Sequence, residues 1–171
     1  MTTWRSWSSG RPVSWVGFLA RLVVGGVWIW AGALKLPDTG SSVTAVRAYQ
    51  LLPLSIADGV GRVLPMLEVV VGVCLVLGLL ARLAGGLSAL MQLAFIIGIV
   101  SVWSRGISIN CGCFGDGGPD PDAFSKYPWE IARDTGLLLL SLLVVWLRRT
   151  PLAVDNLLFP TPEDRDVEEG P

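Results

Sequence analysis

The chain has 171 residues, 52% of them hydrophobic and 16% charged, with a net charge of -1 and no histidine. A single soluble domain of this length does not need so much apolar material, and the surplus belongs in lipid. The near-neutral charge, without a basic stretch long enough to follow a phosphate backbone, argues against nucleic acid as a partner, and the missing imidazole removes the Ser-His-Asp triad, HExxH zinc sites and haem ligation by His.

Residues 1–14 form a polar lead-in with Arg5 and Arg11 among Ser, Thr and Trp, and the tryptophans suit a membrane interface. A helix needs about 20 mostly apolar residues to cross a hydrocarbon core of about 30 Å. Four runs meet that length, at about 15–36, 64–80, 85–103 and 131–147. They predict an all-α fold, an integral membrane four-helix bundle over residues 15–149. The first run holds Arg21 and ends in Lys35-Leu36-Pro37-Asp38 rather than at a small-residue cleavage site, so it reads as a retained span and not a signal peptide.

Between the first two runs, Val43, Val46, Tyr49 or Gln50, and Leu51-Leu52 suggest a short amphipathic interfacial helix that Pro53 ends. The second run carries Glu68 about one turn in and Cys74 near its middle, where a lone cysteine reads as a small packing residue. Only the Ala81-Arg82 region separates runs two and three, which forces an antiparallel hairpin. The connection at 104–130 contains Cys111-Gly112-Cys113-Phe114-Gly115-Asp116-Gly117-Gly118-Pro119, a stretch fit for tight turns and not for helix. The fourth run has Arg133-Asp134 in its first turn, and the acidic tail at 150–171 has too little apolar surface to fold. Small residues such as Gly25-Gly26, Ala31-Gly32-Ala33 and Gly72 allow close helix packing. Arg5, Arg11, Arg82, Arg148 and Arg149 lie on the side of both termini, without acidic residues in those short flanks, and place the termini in the cytoplasm of a plasma-membrane protein.

Cys111 and Cys113 then face the extracytoplasmic side, where disulfides form and exchange. Three readings stay open: a redox-active pair, a permanent clip on the Gly-rich loop, and a thiol metal site assisted by Asp116. Two cysteines without histidine are too few soft ligands for a closed zinc site. Gly112 gives the backbone freedom a CxC ring demands, and Phe114 and Gly115 continue the turn. Lys35, Glu68, Arg133 and Asp134 fall near the same outer surface and can form a charged cluster beneath the loop. Such a cluster either tunes thiol acidity or simply pairs and snorkels to fix helix packing. Arg21 lies near the opposite end, where snorkelling is the default expectation.

Taken together, Arg21, Gly25 or Gly26, Ala31-Gly32-Ala33-Leu34-Lys35-Leu36, Tyr49, Leu52-Pro53, Leu64-Pro65, Glu68, Gly72, Cys111-Gly112-Cys113-Phe114-Gly115 and Arg133-Asp134 give a chain that resembles the DoxX-like membrane proteins and, within them, the MauE branch. The resemblance covers nearly everything up to Arg149. It implies a helper in periplasmic disulfide formation that supports maturation of the cysteine-rich small subunit of methylamine dehydrogenase together with a thioredoxin-fold partner. The chain has neither the CxxC nor the second loop pair of quinone-coupled thiol oxidases, so no quinone or other cofactor is assigned. A non-enzymatic scaffold or chaperone subunit for a secreted redox protein is the alternative. A small transporter ranks below both, because the spans lack Gly/Pro-broken helix pairs.

Overall fold

A computed structural model describes residues 11–115, 117–147 and 153–154. Most of the lead-in, Asp116, Arg148-Arg149 and nearly all of the acidic tail lie outside the described residues. The protein is an all-α membrane fold: helix α1 (Arg11–Lys35), a 3-10 turn (Leu36–Asp38), the short α2 (Thr39–Ala48), α3 (Leu54–Leu77), α4 (Ala81–Ser104), a hairpin of β1 (Ile109–Cys111) and β2 (Gly117–Pro119), and α5 (Ala123–Trp146). Three helical stretches, Trp15–Ala48, Leu54–Leu77 and Ala81–Ser104, are long and apolar enough to cross a membrane. Helix α5 matches α3 and α4 at 24 residues, about 36 Å of rise, but Glu130, Arg133 and Asp134 interrupt its apolar character near the start.

The long helices are dressed for lipid. Trp30, Met66, Leu83, Leu90, Leu139 and Trp146 are all more than 60% exposed, the reverse of a soluble surface and the pattern a hydrocarbon solvent selects. Inside, Ala20, Val24, Trp28, Val71, Leu75, Met91 and Val144 form the main core between α1, α3, α4 and α5. Helices α1 and α3 cross almost backbone to backbone, because a Cβ on Gly72 would stand 2.7 Å from the Gly25 carbonyl oxygen and one on Gly32 2.7 Å from that of Pro65. A polar chain ties the bundle: Trp28 Nε1 donates to Ser88 Oγ at 2.7 Å, Ser88 and Ser141 hydroxyls lie 2.8 Å apart, and Ser141 Oγ donates to the Leu137 carbonyl at 2.8 Å. With no water in the bilayer core, each of these groups needs such a partner.

Several boundaries depart from the sequence reading. Helix α2 ends at Ala48, and Pro53 stands just before α3 instead of closing α2. Proline suits that place, since a helix start leaves its first N–H groups unbonded anyway. Helix α3 thus begins ten residues before the apolar run, with Asp58 and Arg62 on its exposed early turns, where Asp58 takes a two-pronged ion pair from Arg47 of α2 at 2.5 and 2.6 Å. The turn between α3 and α4 lies at Gly78 to Leu80, ahead of Ala81-Arg82: Gly78 at φ +69° ends α3 and its N–H bonds back to the Leu75 carbonyl at 3.2 Å. Arg21 does not snorkel. It is fully buried, and its Nε and Nη2 donate to the Leu75 and Val76 carbonyls at 2.9 and 3.2 Å, satisfying acceptors that the end of α3 leaves open.

Candidate functional site

The loop after α4 is shorter and more ordered than glycine content alone suggests. Ile109, Asn110 and Cys111 pair antiparallel with Pro119, Gly118 and Gly117, so Cys111 closes β1 while Cys113 sits in the connecting turn. Gly112 has φ +70° and Gly115 φ +101°, conformations that an L side chain resists. Gly117 lets β2 lie against α2, since a Cβ there would come within 2.6 Å of Ala45 Cβ.

A second small core holds this hairpin down. Ile99 and Val102 of α4, Ile109, Cys111, Cys113, and Ala123 and Tyr127 of α5 pack together. Tyr127 Oη lies 2.9 and 3.0 Å from the Ile107 and Ile109 carbonyls and accepts the Ile109 N–H at 3.0 Å. Tyr49, just past α2, donates its hydroxyl to the Cys111 carbonyl at 2.9 Å, while Arg105 Nη2 donates to the Tyr49 carbonyl. The Cys111 backbone is therefore held directly by Tyr49 and by its pairing with Gly117, with Tyr127 bracing Ile109 from α5 and Arg105 bracing Tyr49 from the end of α4.

Both sulfurs are free thiols in residues 8% exposed, and the Cys113 N–H donates to Cys111 Sγ at 3.5 Å. Their acidities are driven apart. A hydrogen bond from the Cys113 thiol, more than that from its N–H, draws the Cys111 thiol below its ordinary value, against burial and the neighbouring Glu130 carboxylate. The same bond, with burial and the negative charges of Cys111 and Asp134, pushes Cys113 well above its ordinary value, against the pull of Arg133. Burial, followed by the neighbouring thiol charges, raises Tyr49 as well, so it stays a neutral donor. The result is one thiol made more acidic than an ordinary cysteine beside one made much less so.

All four charged residues singled out from sequence come to this place. Lys35 Nζ and Glu68 Oε1 form an ion pair of 2.5 Å with both side chains at most 2% exposed. The Arg133 Nε and Nη2 both reach Asp134 Oδ1 at 2.9 Å, and the Arg133 guanidinium stands 4.8 Å over the Phe114 ring. One cavity is bordered by Glu68, Gln92, Cys113, Phe114, Arg133 and Asp134, and another by Lys35, Tyr49, Cys111 and Cys113. Cys113 thus faces both pairs. Cys74 lies apart from them, packed against the main core, about 9 Å further along α3 than Glu68.

Glu130 and Gln92 were not singled out from sequence. Glu130 stands one turn before Arg133 and Asp134 on α5, a spacing that places charges on one helix face, and that is the signal that could have found it. Gln92 reads as one polar residue in an apolar run and gains meaning only when α4 packs against the loop. Among the described residues no three His, Cys, Asp or Glu side chains converge to hold a metal, and Asp116 lies outside those residues.

A family model described as methylamine utilisation protein MauE matches residues 13–147, well over half of the chain. That stretch contains α1 from its third residue to the end of α5, with the hairpin and every site residue named above. No curated protein and no solved structure matches the chain.

Proposed function

The chain belongs to the methylamine utilisation protein MauE family, and from that membership we propose that this methylamine utilisation-associated membrane protein works by thiol-disulfide exchange at Cys111 and Cys113. The observation that carries the reading is the pair of free sulfurs with opposed acidities, Cys111 lowered and Cys113 raised. Exchange needs a thiolate to attack and a second thiol to resolve.

In this reading Cys111 thiolate attacks a disulfide of an extracytoplasmic thioredoxin-fold protein, and that S–S bond breaks to release one partner thiolate. Cys113 then loses its proton and attacks Cys111 Sγ, which closes the Cys111–Cys113 disulfide and releases the second partner thiolate. Two electrons pass to the partner. In reverse, the closed pair oxidises a partner dithiol. Gly112, Phe114 and Gly115 supply the turn, while Lys35, Glu68, Arg133 and Asp134 form the charged floor. All four long helices span the membrane, with both termini cytoplasmic and the hairpin outside. This orientation draws on the Lys/Arg distribution.

A Cys113→Ser variant leaves Cys111 without its resolving thiol and should accumulate a mixed disulfide with its partner, visible on non-reducing gels after acid quenching. If the variant captures nothing and the wild-type thiols resist alkylation in cells, exchange is wrong.

The low exposure of both cysteines favours a second reading, a non-enzymatic scaffold in which the CxC turn only shapes the surface. Under it, replacing both cysteines with serine leaves function intact.

A further inference from the structure

Three buried carboxylate oxygens near the thiols have no hydrogen-bond partner: Glu130 Oε2, on the Cys111 side, and Glu68 Oε2 and Asp134 Oδ2, which belong to two carboxylates at one cavity. Glu68 and Asp134 are 0% and 2% exposed, and both border the cavity that reaches Cys113. A buried carboxylate oxygen with no donor is costly, so two around one cavity call for a reason. The cavity, about 20 Å³, accommodates one water molecule with polar partners on several sides.

Resting on the exchange reading above, we infer that Asp134 is the proton acceptor for Cys113, taking its proton on Oδ2 across this cavity when the disulfide closes and returning it when the disulfide opens. Glu68 and Asp134 each keep one oxygen in an ion pair and one without a partner, but Asp134 is the carboxylate whose charge bears on the Cys113 thiol, whereas Glu68 stands across the cavity on α3.

The charged and titratable groups facing Cys113 are Cys111 on β1, Tyr49 beyond α2, Lys35 on α1, Glu68 on α3, and Arg133 and Asp134 on α5; Glu130, also on α5, engages the Cys111 thiol instead. Of these, Tyr49 is a neutral donor to a carbonyl and the two cations cannot accept a proton. Cys111, bound in the mixed disulfide, is the sulfur attacked in the step and has no thiolate to take the proton. Cys113 is held protonated by its surroundings and is only 8% exposed, so ring closure must move that proton to a group close by.

The chemistry can be followed with an aromatic disulfide whose released thiolate absorbs light. Cys111 thiolate attacks it and expels the first aromatic thiolate. Cys113 then passes its proton to Asp134, its sulfur attacks Cys111 Sγ, the mixed disulfide breaks and the second aromatic thiolate leaves. The pair loses two electrons and the reagent gains them.

The experiment is stopped-flow absorbance on the full-length protein in lipid nanodiscs, in a Cys74→Ala background, across neutral to alkaline pH. Wild type should release the aromatic thiolate in two phases. In Asp134→Asn the second phase should slow about 100-fold near neutral pH, the usual size of a general-base contribution, and recover as hydroxide takes over. The first phase should stay within about threefold, and Asp134→Glu should restore most of the second. An unchanged second phase in Asp134→Asn overturns the inference and leaves exchange standing. Equal slowing of both phases, with no rescue by Asp134→Glu, assigns Asp134 a structural role and also overturns it. A wild type with no second phase overturns the exchange reading and this inference together.

Discussion

Removing the charge of Lys35 tests whether the floor of the site is a compensated buried pair. Lys35 and Glu68 touch at 2.5 Å with side chains 2% and 0% exposed, and Glu68 Oε2 has no other donor. All compensation for burying that carboxylate therefore comes from one lysine. Lys35→Met keeps the length of the side chain and leaves a buried, unpaired acid, which costs about 3–5 kcal/mol where such pairs have been broken. Replacing both residues, as Lys35→Met with Glu68→Leu, removes the charges together and should restore stability to within about 1 kcal/mol of wild type or better. Reversible unfolding in mixed micelles, followed by tryptophan fluorescence, measures wild type, Lys35→Met, Glu68→Leu and the double variant. The reasoning is refuted if the single variants each cost under about 1 kcal/mol and the double variant simply adds their effects.

The remaining expectations concern packing and the loop. Gly72→Leu sets a side chain where a Cβ alone already meets the Gly25 carbonyl at 2.7 Å, so the helices must part; a loss of about 1–3 kcal/mol or more should appear in the same unfolding assay. Tyr49→Phe removes the 2.9 Å hydrogen bond to the Cys111 carbonyl, at a cost of about 1 kcal/mol, and hydrogen exchange should quicken at residues 109–113 while the bundle stays protected. Because Cys111 lies below the ordinary thiol value, its alkylation rate should rise with pH and level off earlier than that of a free cysteine. In Cys113→Ala the bond that lowers it is gone while burial and Glu130 remain, so the midpoint should move upward; Glu130→Gln should move it downward. Pulse alkylation with mass spectrometry checks both signs.

What the sequence discloses here follows from how far each feature is local. A helix that crosses lipid must be long and apolar on its own account, and so α1, α3 and α4 stand out without any knowledge of their packing. The glycines at 25, 32 and 72 likewise announce close approach. The early starts of α3 and α5 are hidden because hydropathy marks only what lies in lipid: residues 54–63 and 123–130 continue the helices but carry Asp58, Arg62, Lys126 and Glu130. The hairpin is hidden because three paired residues a side have no periodicity to read; it exists because Tyr127, Tyr49 and Gly117 hold it from neighbouring elements. Arg21 shows the same limit. A long cationic side chain near a helix end can reach outward or inward, and only the placement of the end of α3 beside it decides the matter.

At the site, the residue types and their common surface were legible, but their connections were not. Lys35 could be matched with Glu68 or with Asp134 on charge alone, and the α1–α3 crossing at Gly32 and Gly72 selects Glu68. The opposed acidities of two cysteines separated only by Gly112 arise chiefly from the hydrogen bond between their side chains, and Gly112 at φ +70° provides the turn in which the Cys113 N–H also reaches Cys111 Sγ.

The most direct measurement is the redox state of Cys111 and Cys113 in intact cells, by differential alkylation before and after a mild reductant and again after its removal. Thiol-disulfide exchange predicts that the pair passes between thiol and disulfide and back within the experiment. A pair locked in one state throughout, together with full function of the Cys111→Ser, Cys113→Ser double variant, would contradict it.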